Sequence, residues 1–246
     1  RGGFDLQILK DASYNPSLML GYYDASLMYL VGYTVNELLD ASFSRISILF
    51  AGYNARQLKI SGFKANELCF AKYSAIMLKD ASYSISDVVT AGYYVQELYD
   101  ASYQAIDLKN NNFKITSLIN IYSQLEIATA QYPANECYDI YLPLDILHNA
   151  NYPASYLIDS SYSFNDIINK GNYTAKELKY GGFSTDQILT AGFRAYQLKD
   201  ASYSGYILQQ YGYTINNLKD ASYSNYDILT AGYLASNIKT YTKKTY

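Results

Sequence analysis

Apolar positions return along this chain every five residues in two alternating kinds, an aromatic ring and then a leucine-type side chain. A ten-residue unit written A-[G/S]-[Y/F]-[S/T]-x-x-[E/D/Q]-L-x-x carries the ring in slot three, from Phe4, Tyr14, Tyr23 and Tyr33 through to Tyr213, Tyr223 and Tyr233. There are 24 such units, and only Leu142 replaces the ring. The spacing slips by one residue at three places: 14 to 23, 113 to 122 and 162 to 173. Slot eight repeats independently as Leu38, Ile48, Leu58, Leu68 and Leu78, and later as Leu178, Ile188, Leu198 and Leu208, with Cys137 its weakest member. A period this short and this long sustained marks a solenoid of stacked units.

Two conformations fit a five-residue alternation. A β-solenoid of the pentapeptide-repeat type needs a small residue two places before each central one. Slot one supplies Ala, but slot six holds Arg56, Asn66, Gln96, Lys176, Tyr196, Tyr206 and Tyr226, which do not fit inside a narrow coil. Helix has positive chemistry. Thr34 to Glu37, Thr174 to Glu177, Ser84 to Asp87 and Ser184 to Gln187 read as hydroxyl caps followed three residues on by an acid or amide that reaches back. Pro16 follows Asn15 at a first-turn position, where its missing N–H costs nothing. Slots five, eight and eleven, such as Val95, Leu98 and Ala101, share one helical face. The pattern therefore predicts an all-α solenoid of two-turn helices from slot four to about slot eleven. The β-solenoid is the alternative.

Slot two, just past each helix, alternates. One series reads Gly32, Gly52, Lys72, Gly92, Asn112 and later Asn172, Gly192, Gly212, Gly232; the other reads Ser42, Gly62, Ser82, Ser102 and later Gly182, Ser202, Ser222. Gly enters the left-handed region freely and Ser does not. This predicts two different corners and a 20-residue αα-hairpin as the physical unit, stacked about twelve times into a rod on the order of 100 to 120 Å long. One aromatic and one leucine per unit do not offset the entropy of ordering ten residues, so neighbours must stabilise one another. Residues 123–170 keep the period with Pro133, Pro143 and Pro153 in slot four, which reads as a variant stretch within a single solenoid spanning 1–246.

Composition narrows the function. Half of the residues are hydrophobic, 17% are charged and the net charge is −3, so the chain lacks the basic footprint of a nucleic-acid binder. Lys239, Lys243 and Lys244 read as a small solvated basic tail. No apolar run approaches the length of a membrane span, which predicts no membrane insertion and a soluble segment. The chain opens at Arg1-Gly2-Gly3-Phe4, already inside a repeat. Cys69 and Cys137 lie seven units apart and read as thiols. The 31 tyrosines, alongside abundant Asn, Ile and Lys, suit an AT-rich coding sequence as well as any functional demand.

The units GFKANELCFA, GYTVNELLDA and GFSTDQILTAG resemble the AGFSxxELxx decapeptide arrays of the Dot/Icm type IV secretion channel protein and of repeat proteins of large DNA viruses. The resemblance covers nearly the whole chain. It implies a spacer, scaffold or interaction role without enzymatic activity.

Candidate chemistry is sparse. His148, with Asp145 three residues before it and Cys137 upstream, lacks a converging nucleophile and base and falls short of three metal ligands, so it reads as structural; no catalytic residue, metal site or cofactor is expected. The recurring acids of slots seven and ten read as caps. Tyr196, Tyr206 and Tyr226, all in slot six, are aromatic where the core does not require it and are the candidate partner contacts. The expected function is a structural or protein-interaction scaffold, with protein partners or self-assembly; glycan binding through rows of tyrosines is the alternative.

Overall fold

A computed structural model describes residues 5–239. Phe4 and the lysines at 243 and 244 lie outside the described residues, as does the side chain of Lys239. Among the described residues are 21 short α-helices, three 3-10 turns and no strand, so the chain is an all-α repeat. It divides between Ile121 and Tyr122 into two compact units.

Most helices occupy slots five to ten, one residue shorter at each end than the period suggests, because slot four is the N-cap and slot eleven the C-cap; Phe164–Gly171 runs two residues longer. In Val35–Asp40, the Thr34 hydroxyl accepts from the Glu37 N–H while the Glu37 carboxylate accepts from the Thr34 N–H at 2.7 Å. Where slot four carries no hydroxyl, half of this arrangement survives. The N–H groups of Lys64, Tyr94, Gln104 and Arg194 still donate to Glu67, Glu97, Asp107 and Gln197. The acid or amide of slot seven therefore serves the helix start even where slot four has no capping hydroxyl. Pro16 lies at the first residue of the 3-10 turn Pro16–Met19, capped by Asn15.

The other end explains the five-residue alternation. After Val95–Asp100, the Ser102 N–H donates to the Tyr99 carbonyl at 2.7 Å and the Tyr103 N–H to the Leu98 carbonyl at 3.0 Å. After Gly205–Gln210, Gly212 donates to Gln209 and Tyr213 to Leu208 in the same way. This is the Schellman ending, whose two hydrophobic partners are the residue two past the cap and the third from the helix end. Those positions are slots three and eight. The ring and the leucine are thus the two sides of one helix terminus, and both are buried in pairs such as Leu58 with Phe63 and Leu198 with Tyr203.

The expectation of two different corners is corrected. Ser42, Ser82, Ser102, Ser202 and Ser222 have φ between 58° and 67°, and the glycines of slot two have φ between 82° and 113°. Both are left-handed turns, and Ser102 and Gly212 carry the same pair of hydrogen bonds. A serine there costs about 1–2 kcal/mol. At four of the five, the serine carbonyl accepts from a lysine of slot nine, 23 residues earlier: Lys59 to Ser82, Lys79 to Ser102, Lys179 to Ser202 and Lys199 to Ser222. A cation at a helix C-terminus is favourable, and this charge-assisted bond offsets the strain. Gly52 has a separate reason for its identity, since a Cβ there would lie 2.8 Å from the Tyr29 ring.

Stacking runs every second helix. In the first unit Ala55–Ile60 packs on Ala75–Asp80, which packs on Val95–Asp100. In the second unit Ala175–Tyr180 packs on Ala195–Asp200 and that on Ile215–Asp220, while Gly205–Gln210 packs on Asn225–Thr230. The 20-residue αα-hairpin is therefore the repeating rung.

Candidate interaction surface

Most polar side chains of the repeat are already engaged within it, and tyrosine shows this best. The Tyr53 hydroxyl donates to the Tyr33 carbonyl at 2.5 Å, Tyr73 to Tyr53 at 2.5 Å and Tyr83 to Phe63 at 2.7 Å, each 20 residues back. In the second unit Tyr152 donates to Tyr132 at 2.7 Å, Tyr162 to Leu142 at 2.6 Å and Tyr223 to Tyr203 at 2.5 Å. The accepting carbonyls sit between a helix end and the next cap, where no helical N–H reaches them. Phenol is thus the ring that both fills the core and satisfies the rung before it, a physical reason for the tyrosine content that coding composition does not supply. Burial pushes the hydroxyls of Tyr53, Tyr132 and Tyr223 up to about 12. At neutral pH they are protonated and able to donate.

Cations are also engaged. Lys79 and Lys179, besides capping, lie over the rings of Tyr103 and Tyr203 at 4.5 and 4.3 Å. Lys10 lies over Tyr33 at 3.8 Å and pairs with Glu37 at 2.9 Å. His148 takes the same slot nine. Its ring meets Tyr173 edge-on at 4.6 Å, and its Nε2 lies 3.2 Å from Glu177, the cap acid of the Ala175–Tyr180 helix. These groups line a cleft of about 300 Å³ together with Pro153 and Tyr180. Burial raises the Glu177 carboxyl, but hydrogen bonds from the Thr174 N–H, the Thr174 hydroxyl and His148 outweigh it and hold the group below the usual range. Cys137 is buried, its thiol 3.5 Å from the Tyr132 carbonyl.

Slot six is left to face outward. Tyr196, Tyr206 and Tyr226 are 55%, 57% and 74% exposed. Tyr206 and Tyr226 occupy equivalent positions on the stacked helices Gly205–Gln210 and Asn225–Thr230. Gly205 permits that stacking, since a Cβ there would lie 3.1 Å from the Asp227 carbonyl. Tyr196 stands on Ala195–Asp200, in the other column of helices. The structure thus groups Tyr206 with Tyr226 and sets Tyr196 apart. Sequence reasoning missed a second outward group, the slot-ten residues Leu30, Phe50 and Phe70, although their place in the ten-residue frame was there to be read.

No helix among the described residues is long and apolar enough to cross a membrane. A family model described as a decapeptide repeat region matches residues 46–115 and 172–242. No curated protein and no solved structure matches the chain.

Proposed function

The chain belongs to the decapeptide repeat family, and from that premise we propose that it is a structural scaffold whose rungs hold side chains at fixed spacing for protein partners, without catalysis. The observation that carries this reading is where the polar chemistry goes. Tyrosine hydroxyls, slot-nine cations and slot-seven acids are directed into rung-to-rung and cap bonds, as in Tyr53 to Tyr33, Lys79 to Ser102 and Glu177 to Thr174. What varies outward is slot six and slot ten, and variation at a fixed spacing on a rigid stack suits recognition by surface pattern.

Tyr206 and Tyr226 are the contacts proposed for the second unit, as adjacent rigid rings with polar tips. A Tyr206→Ala/Tyr226→Ala variant with unchanged far-ultraviolet dichroism should lose the proteins that the wild-type chain captures. Equal capture by both would overturn this assignment. Exposed tyrosine rings also suit sugars, so a glycan array with the same pair of proteins is the companion test; saturable glycan binding lost in the variant would replace the protein-contact reading.

A further inference from the structure

We propose that the outer face of the helices Ala25–Leu30, Arg45–Leu49 and Ala65–Phe70 in the first unit seats a second copy of this chain, related by a two-fold axis through the middle helix. This inference rests on the scaffold reading and names one of its partners.

Five large apolar side chains point outward from these three helices of one column: Leu27 and Leu30, Ile46 and Phe50, and Phe70, at 45%, 73%, 65%, 56% and 67% exposure. Slots six, seven and ten lie on one side of a helix, and the Phe50 and Phe70 rings meet edge-to-face with centroids 6.2 Å apart. The run is bounded, since the next two slot-ten residues in this column are Thr90 and Asn110. Together the five expose on the order of 600 Å², more than the scattered apolar surface a monomer normally carries.

Three features select a second copy as the occupant. Doubled across a two-fold, the patch covers about 1,200 Å², the lower edge of a specific interface. The spacing of its ridges is that of the rungs, so an identical surface turned about Phe50 meets it ridge for ridge, with Leu30 against Phe70. The rim is self-complementary in charge: slot four along these helices reads Asp24, Ser44, Lys64, and both charged residues are exposed. A two-fold through the Arg45–Leu49 helix brings Asp24 of each copy toward Lys64 of the other, twice. Arg45 is already committed to Glu67 at 2.9 Å and to the Phe63 ring, so it places no unpaired charge at the centre.

Sedimentation velocity on the full chain tests this. The wild type should dimerise with a dissociation constant on the order of micromolar, and Phe50→Asp should weaken dimerisation by at least about tenfold with unchanged dichroism. Lys64→Asp alone should weaken it, and Asp24→Lys/Lys64→Asp together should restore it, because the exchange rebuilds the pairing. Slot four holds either residue elsewhere in the repeat, but Asp24→Lys gives up the cap bond from the Leu27 N–H at 2.8 Å, so each variant is compared at unchanged dichroism. A monomeric wild type, a dimer indifferent to Phe50→Asp, or a charge exchange without rescue would each overturn the proposal. The capture assay on Tyr206 and Tyr226 probes the other unit, so either reading can fail while the other stands.

Discussion

Residues 124 to 158 and residues 174 to 230 of the second unit build the same rung from different parts. In the later stretch, helices start at Thr174, Ser184, Thr214 and Ser224, each with reciprocal cap bonds, and left-handed corners are made by Gly or by Ser beneath a lysine. In the earlier stretch Pro133, Pro143 and Pro153 stand at the N-cap, with no side-chain bond and with φ of −51°, −64° and −63°. The corners there are Gln131, Tyr141 and Asn151, and slot nine holds His148 opposite Glu177. Two things do not change. Slot eight stays buried, and the tyrosine hydroxyl still reaches the carbonyl one rung back. Cap chemistry and corner residue are therefore exchangeable, whereas the buried slot-eight side chain is kept, and the hydroxyl bond is added where slot three is a tyrosine such as Tyr152 or Tyr223. The family model's matched residues leave out the earlier stretch.

The sharpest break of this comparison is at the shared element. Tyr152→Phe and Tyr223→Phe each leave a carbonyl without its donor while keeping the ring, so both should destabilise the second unit by about 1–3 kcal/mol. The effect should be equal in the two stretches, read as a fall in the urea midpoint followed by dichroism. A loss at Tyr223 without one at Tyr152 would mean that the earlier stretch is held by something other than this ladder.

A smaller and opposite-handed effect is expected at the caps, where the stretches differ. Ser224→Ala removes the acceptor for the Asp227 N–H at 3.0 Å and should cost about 1 kcal/mol. Pro143→Ser adds a cap acceptor but frees the unfolded backbone, and these contributions are each about 0.5–1 kcal/mol with opposite sign. Its net change should stay within about 0.5 kcal/mol. A gain well beyond that would show that proline is there for another reason.

What the sequence discloses follows the range of the interactions. The period, the helical state, the caps of slots four and seven and the outward place of Tyr196, Tyr206 and Tyr226 are all local and were legible in ten residues. The common left-handed corner was not, because Ser102 is tolerated through Lys79, which is 23 residues distant. The role of tyrosine was hidden for the same reason: Tyr53 differs from Phe63 only in a hydroxyl whose partner lies in the previous rung. Nor does a unit's consensus reveal that Leu30, Phe50 and Phe70 form one surface, since they adjoin only after every second helix stacks.

The finest difference between the stretches lies at slot nine, where lysine gives way to His148. Glu177 has its folded pKa lowered, so its contribution is present above the unfolded value of about 4.3 and is lost as pH falls through the lower folded value. His148→Gln removes one of the three hydrogen bonds that lower it, leaving those from Thr174. The acid limb of stability should become shallower by less than about 1 kcal/mol, because the pair is partly exposed. Carbon-13 titration of the Glu177 carboxyl reads the shift directly. His148→Lys should instead preserve the depression, since Lys10 faces Glu37 across Tyr33 in the same frame. If glutamine and lysine behave alike, His148 is packed against Tyr173 as a ring alone, and the slot-nine cation is not a feature that the two stretches share.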